Sequence, residues 1–240
     1  MAKFPLPSQE IDLWFLSVGE LAPRLATLAE YLSPDEHQRA TRLVRAADRE
    51  RFTLFRGALR EILSRYEGLG DPASFSFLYG RAGKPAVAGH PTLHFNLAHA
   101  ADRLVVAVAG HPVGVDVEPL DLDTPVRELA RRFYRPEEAE AMDPLSGEAL
   151  RKRFYRLWTA KEAILKALGW GLGGLEALPS LTEWAVMTEY SQRRFALESE
   201  PPQLTGITAS SGEQIWLWAF PDPSDWIGSL ASTHPFQQLT

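Results

Sequence analysis

Residues Phe154–Gly169 read FYRLWTAKEAILKALG and close the strongest helical pattern in the chain, which runs from Ala149 to Leu168 and stops at Gly169, Gly171, Gly173 and Gly174. An earlier run, FTLFRGALREILSRYEG at Phe52–Gly68, matches it loosely. Each helix is followed by a glycine break and then by short strand-like runs. That recurrence predicts an α/β protein, of the α+β type, built from two similar α/β units. Chance likeness between two amphipathic helices is the competing account of the match.

Working outward, Ile11–Val18 crowds Ile, Leu, Trp, Phe and Leu together and reads as a strand. Ser33-Pro34-Asp35-Glu36 has the form of a helix start, with Ser33 as cap, Pro34 at the first position and Glu36 closing a capping box. Helical character continues to Tyr66, with a break near Ala46-Ala47-Asp48. Phe52, Phe55, Leu59 and Leu63 recur at helical spacing, as a core stripe does. Short strands are expected at Phe75–Phe77, Leu93–Leu97, Leu104–Ala109 and Val113–Val117, the last two as a hairpin around Gly110-His111-Pro112. Composition changes at Pro119–Asp123. Val126–Phe133 then reads as a helix, Pro136-Glu137-Glu138 opens a turn or helix, and Ala141–Ser146 is a linker. Later strands are expected at Trp184–Met187, Phe195–Leu197, Leu204–Thr208 and Ile215–Phe220, with a loosely attached tail from Pro221.

The 240 residues carry 25 Lys and Arg against 31 Asp and Glu, a net charge of -6, with 45% hydrophobic and 23% charged residues. This is globular composition, and its acidic balance disfavours a nucleic-acid partner. With 0 Cys, disulfides, thiolate metal sites and a cysteine nucleophile are excluded. The opening MAKFPLPSQEIDLWFL has no continuous apolar region of the signal-peptide kind, and LVVAVAG at Leu104–Gly110 falls far short of the ~20 residues of a membrane span. A cytoplasmic protein with no membrane partner is the expectation.

Three groups of residues rise above packing. In Gly114-Val115-Asp116-Val117-Glu118-Pro119 strand alternation puts Asp116 and Glu118 on one face, where they repel unless a cation, a proton or basic side chains compensate them. A solvated strand edge is the plain alternative. On the helix, Trp158, Glu162 and Lys166 share a face. A Glu–Lys pair at this spacing adds only ~0.2–0.5 kcal/mol on an exposed helix, so surface decoration competes, but Trp158 one turn before Glu162, with Leu165 nearby, opposes full exposure of that face. Ahead of the acidic strand lie Arg45, Arg49, Arg51, Arg56, Lys84 and His99, cations of the kind that meet phosphate. Cations before and carboxylates after suit a Mg²⁺-assisted phosphoryl site. No GKS or GKT phosphate loop is present, and His37, His90, His94, His111 and His234 form no zinc pattern.

GVDVEP at Gly114–Pro119 and WTAKEAILKALG at Trp158–Gly169 resemble the two signature motifs of the 4'-phosphopantetheinyl transferases, most closely the longer class acting on carrier domains of natural-product synthases. Arg132-Phe133-Tyr134 with Glu137 or Glu138, Gly83-Lys84-Pro85 and FNLAHA at Phe95–Ala100 add to the likeness, which extends over about Ile11–Phe220. The resemblance implies a monomer whose two α/β subdomains, residues 1–112 and 113–240, form an intramolecular pseudo-dimer with coenzyme A in the cleft between them. The implied reaction moves phosphopantetheine from coenzyme A to a serine hydroxyl of an apo acyl or peptidyl carrier protein, leaving adenosine 3',5'-bisphosphate. By the same resemblance Asp116, Glu118 and Glu162 hold Mg²⁺, or Mn²⁺ in its place. Lys166 contacts phosphate, His99 binds a coenzyme A phosphate, and Arg51 and Lys84 address the 3'-phosphate end and the adenine side. Glu162, Lys166 and Asp116 are the catalytic set, with Glu162 as base. Ala98-His99-Ala100 stands where the family often has serine beside the histidine. Arg131, Arg132 and Arg135 are candidates to meet an acidic carrier. The rival reading is a catalytically silent module of the same fold that binds carrier protein or coenzyme A.

Overall fold

A computed structural model describes residues 4–5, 10–66, 68–186, 205–220, 226–235 and 238–239. The first half opens with strand β1 (Glu10–Ser17), whose last residue caps helix α1 (Val18–Leu21); α2 (Leu25–Glu30) follows. Helix α3 (Pro34–Arg42) begins at the predicted capping box, and α4 (Ala46–Ser64) begins at the predicted break. Strands β2 (Phe77–Tyr79), β3 (Pro85–Val87), β4 (His94–Ala100) and β5 (Arg103–Ala109) complete it.

The second half repeats the order. Strand β6 (Val113–Pro119) leads to helices α5 (Val126–Phe133), α6 (Pro136–Glu140) and α7 (Gly147–Leu168). Strands β7 (Thr205–Thr208), β8 (Gln214–Phe220) and β9 (Trp226–Ser232) follow, and β10 (Gln238–Leu239) returns to the first half. One sheet runs β10-β1-β5-β4 and the other β6-β9-β8-β7. In both, the opening strand lies against the last long strand, which lies against the one before it.

The likeness of the halves extends to a buried ion pair. Glu36 stands at the third position of α3 and pairs with Arg60 of α4 at 2.7 Å; Glu138 stands at the third position of α6 and pairs with Lys161 of α7 at 3.0 Å. Both acids follow a proline at the helix start and fold back onto the backbone N–H of the preceding residue, Ser33 or Arg135. Glu138 is 0% and Lys161 1% exposed, so each neutralises a charge that would otherwise stand alone out of water. The sequence left open which of Glu137 and Glu138 matters. Glu138 is the buried one, and it also accepts the N–H of Leu181 at 2.8 Å.

Helix α7 lies directly on β6 at Gly114. A Cβ there would stand 2.0 Å from Ala163 O and 2.4 Å from Ala167 N, so only glycine lets the backbones approach this closely. The helix ends at Gly169, whose φ of 70° is the left-handed cap conformation. Between the halves, Ala98, Val105, Ala107, Val113, Val115 and Leu230 form an apolar core, and β4 lies alongside β6.

Three expectations are overturned. The β5–β6 hairpin does not form: β5 has both edges taken, by β1 and β4, so Gly110-His111-Pro112 carries the chain across to the other sheet. The tail from Pro221 contains β9, a central strand, whose small residues Ser229 and Ser232 are fully buried, Ser229 under α7 with its Oγ 2.9 Å from Thr159 Oγ1, and Ser232 on the opposite face with Leu230. Residues 182–186 are helical where a strand was expected at Trp184–Met187. The strand expected at Phe195–Leu197 lies outside the described residues.

Candidate active site

Asp116 and Glu118 leave β6 on one face, as strand alternation requires, and α7 brings Glu162 and Lys166 to them. Lys166 Nζ lies 2.6 Å from Asp116 Oδ1 and 3.2 Å from Val115 O. Asp116 is 6% exposed, and its second oxygen, Oδ2, is buried without a hydrogen-bond partner. Burial pushes the Asp116 carboxyl up, against the pull of the Lys166 ammonium. Glu118 is pushed up to about 7, first by burial and then by the charge of Asp116, with Glu162 adding to it. The Trp158 side chain hydrogen-bonds to Glu118. Stacking on Phe154 and an edge contact with Phe133 hold that indole in place. Glu162 is raised by burial and by Asp116. Three carboxylates thus feel one another's charge, with one ammonium among them.

A cavity of about 210 Å³ opens beside this group, lined among others by Gly83, Lys84, Asn96, Leu97, Glu162 and Lys166. Lys84 Nζ donates to Val113 O at 2.9 Å and Ala167 O at 3.0 Å, bracing β6 against the end of α7. Burial pushes its ammonium down to about 8, although two carbonyl dipoles favour the charged form. Leu97 also walls a second cavity, of about 320 Å³, with Arg39, Arg51, Phe52, Arg56 and His99. The two spaces therefore adjoin. His99 is depressed by burial, then by Arg51 and Lys166, which places it between the cations of both cavities.

The structure puts Glu162, Lys166 and Lys84 on the first cavity, with Asp116 against Lys166 and Glu118 within reach of the charges of Asp116 and Glu162, and Arg51 and His99 on the second. Arg51 pairs with Asp48 at 2.7 Å. Arg45 and Arg49 stay outside: Arg45 precedes α4, and Arg49 donates to the carbonyls of Leu43 and Val44. Phe52, expected in the core, is a cavity wall with Arg39 and Arg56 over its ring. Sequence reasoning missed Arg39, which lies one helical turn after Glu36. It named Arg56 without seeing that one guanidinium nitrogen, Nη1, is buried without a partner. Of the three arginines considered for a carrier, Arg135 is spent on the carbonyls of Leu178 and Glu176, while Arg131 and Arg132 stay exposed.

The donor set is three carboxylates, hard oxygen ligands of the kind Mg²⁺ takes, and the partnerless Asp116 Oδ2 is the feature a bound cation would answer. Among the described residues no group of three or more His, Asp or Glu is gathered tightly enough to hold a metal ion unaided. Among the described residues no helix is long and apolar enough to cross a membrane.

Comparison with known proteins points the same way. The profile of the 4'-phosphopantetheinyl transferase superfamily matches residues 112–217. Over 177 residues the chain is 38% identical to the 4'-phosphopantetheinyl transferase HetI of Nostoc sp., covering 72% of this chain and 74% of that protein. It is 31% identical to a 4'-phosphopantetheinyl transferase of Bacillus subtilis, over 65% of this chain and 67% of that one. Identity to the 4'-phosphopantetheinyl transferase Sfp of Bacillus subtilis is 29%, over 59% and 62%.

Proposed function

Because the chain belongs to the 4'-phosphopantetheinyl transferase superfamily, we propose that it transfers the 4'-phosphopantetheine of coenzyme A to a serine hydroxyl of an apo carrier protein. Adenosine 3',5'-bisphosphate is the second product. The observation that carries this reading is the union of Asp116, Glu118 and Glu162 with Lys166 beside a cavity that adjoins an arginine-lined one. An acidic cluster next to a basic recess suits a polyphosphate substrate held through a divalent cation at one end and by guanidinium groups at the other.

Asp116, Glu118 and Glu162 would hold Mg²⁺, which when bound supplies neutralising charge to the pyrophosphate. Arg51, Arg39, Arg56 and His99 would receive the phosphorylated ribose end, and Arg56 Nη1 has a hydrogen to give there. Lys84, on the wall shared with Glu162, keeps β6 and α7 together while the substrate lies against it. The serine oxygen attacks the β-phosphorus of coenzyme A, and the bond to the bridging oxygen breaks, so the leaving group departs as the bisphosphate. Lys166 lies where it can meet charge growing on the phosphoryl oxygens. Glu162 takes the serine proton, directly or through one water. The reaction site falls between residues 1–112, which supply Arg51, Lys84 and His99, and residues 113–240, which supply the carboxylates and Lys166. The active unit on this reading is one chain.

The test is intact-mass spectrometry of purified apo acyl and peptidyl carrier proteins incubated with the chain, coenzyme A and Mg²⁺. A gain of one phosphopantetheine that disappears with EDTA and in Glu162→Ala is the expected result. Coenzyme A binding without any mass gain would favour a silent binding module, and failure to bind coenzyme A would overturn the proposal.

A further inference from the structure

Strand β6 is an edge of its sheet: it pairs with β9 on one side, and among the described residues no strand pairs with its other side, where β4 lies alongside. An open edge presents main-chain donors and acceptors that need partners. Here side chains supply them. Lys84 Nζ meets Val113 O at 2.9 Å, Lys166 Nζ meets Val115 O at 3.2 Å, and the N–H of Val115 donates to Asn96 Oδ1 at 2.9 Å. Both lysines answer carbonyls, and both also line the cavity beside the carboxylates. Asn96 answers the amide.

Asn96 belongs to β4, in the other half of the molecule, and is 4% exposed. Its own backbone is fixed by pairing with Ala107 of β5, so its side chain reaches Val115 from a rigid base. Val115 immediately precedes Asp116, whose Oδ1 stands 2.6 Å from Lys166. A shift of β6 along or away from β4 moves that carboxylate and Glu118 together. Reactions that depend on placed charges are sensitive to small displacements of those charges.

We propose that Asn96 is a positioning residue for the carboxylate strand: its side-chain oxygen, on Val115 N–H, sets from the opposite half where Asp116 and Glu118 stand against Glu162 and Lys166. The inference rests on phosphopantetheinyl transfer being the reaction. Asn96 acts through β6 and not on the reacting atoms.

The test compares Asn96→Ala, which removes the acceptor, with Asn96→Asp, which keeps an oxygen in place and removes the amide donors, both in the full chain. Three quantities are read: hydrogen exchange at the Val115 amide, affinity for Mn²⁺ by calorimetry, and kcat and KM for coenzyme A. In Asn96→Ala the Val115 amide should exchange faster by about tenfold or more and Mn²⁺ should bind more weakly. In the same variant kcat should fall by about tenfold to a hundredfold, while KM for coenzyme A stays within about twofold. Asn96→Asp should restore slow exchange and most of kcat. Unchanged exchange and kcat in Asn96→Ala overturn the proposal. So does an equal loss in Asn96→Asp with a raised KM, which would make the amide a direct substrate contact. A fall in melting temperature with normal kcat below it also overturns it, leaving a purely structural role. Absence of transfer by the wild-type chain on every carrier would overturn the function instead, and the clamp would then be judged on Val115 exchange and Mn²⁺ affinity.

Discussion

At the scale of single residues, Glu118 concentrates the cost of building the site. Its carboxyl, at 4.5 in an ordinary setting, stands at about 7 in the fold, because burial and the neighbouring Asp116 disfavour its charged form. The folded state therefore binds this proton more tightly than the unfolded chain does. The associated stability is complete below about pH 4.5 and is lost as pH rises through about 7. Thermal melts without metal should accordingly show Glu118→Gln gaining on the wild type toward pH 8. A gain of about 1–2 kcal/mol is expected once solvent reaching this half-buried group is allowed for. Added Mg²⁺ should raise the melting temperature of the wild type more at pH 8 than at pH 6 and lift Glu118→Gln much less. Equal Mg²⁺ responses from the two proteins would contradict the assignment of Glu118 as a ligand. Strand alternation alone put Asp116 and Glu118 on one face. The link from Glu118 to Trp158 was half visible in the helical spacing of Trp158 and Glu162. The bond from Asn96 to Val115 was not visible, since nothing local in Phe95-Asn96-Leu97 says which main chain the amide will meet.

At the scale of elements, the two buried ion pairs do the same task in each half: they fasten a short proline-started helix to the long helix behind it. Lys161→Met leaves Glu138 buried with its charge unmet, and breaking such a pair from one side typically costs about 3–5 kcal/mol. Chemical denaturation should show that loss, with α6 and the Leu181 region opening first. Replacing Glu138 and Lys161 together by apolar residues should cost much less than Lys161→Met alone, and equal costs would show that the pair is not the fastening. Legibility differs among elements for physical reasons. Helix α5 was read at Val126–Phe133, its observed span, because a full amphipathic period and a flanking proline mark it. Strand β9 was missed because its small and polar residues Gly228, Ser229 and Ser232 break the apolar run that marks a strand, and Ser229 is spent on a hydrogen bond with Thr159 of α7. The β5–β6 hairpin was over-read because a tight Gly-His-Pro turn between two apolar runs has the same local chemistry whether the strands pair or part.

At the scale of the whole molecule, the charge of -6 sets long-range steering against an acidic carrier protein, so docking must rely on local cations. Arg131 and Arg132, exposed on α5, fit that need, whereas Arg135 is occupied in holding the chain at Glu176 and Leu178. Reversing both charges in Arg131→Glu/Arg132→Glu should raise the carrier KM by about fivefold or more at low salt, less at high salt, and leave KM for coenzyme A unchanged. A carrier KM that does not move would send the search to another face. Twofold likeness of the halves was legible from two matching helices. The return of β10 to pair with β1 was not, because a strand of two residues leaves no pattern of its own.

That return, together with the crossing at Gly110-His111-Pro112, makes the chain divisible. Cut between Pro112 and Val113, it leaves His99, Arg51, Lys84 and Asn96 on one fragment and every carboxylate of the site on the other. On the proposed reaction, neither piece alone holds a full site. The apolar seam between β4 and β6 and the reach of β10 across to β1 give the pieces a reason to meet. Fused to two proteins that associate, the fragments should serve as a complementation reporter, silent apart and writing a covalent label onto a carrier tag when brought together.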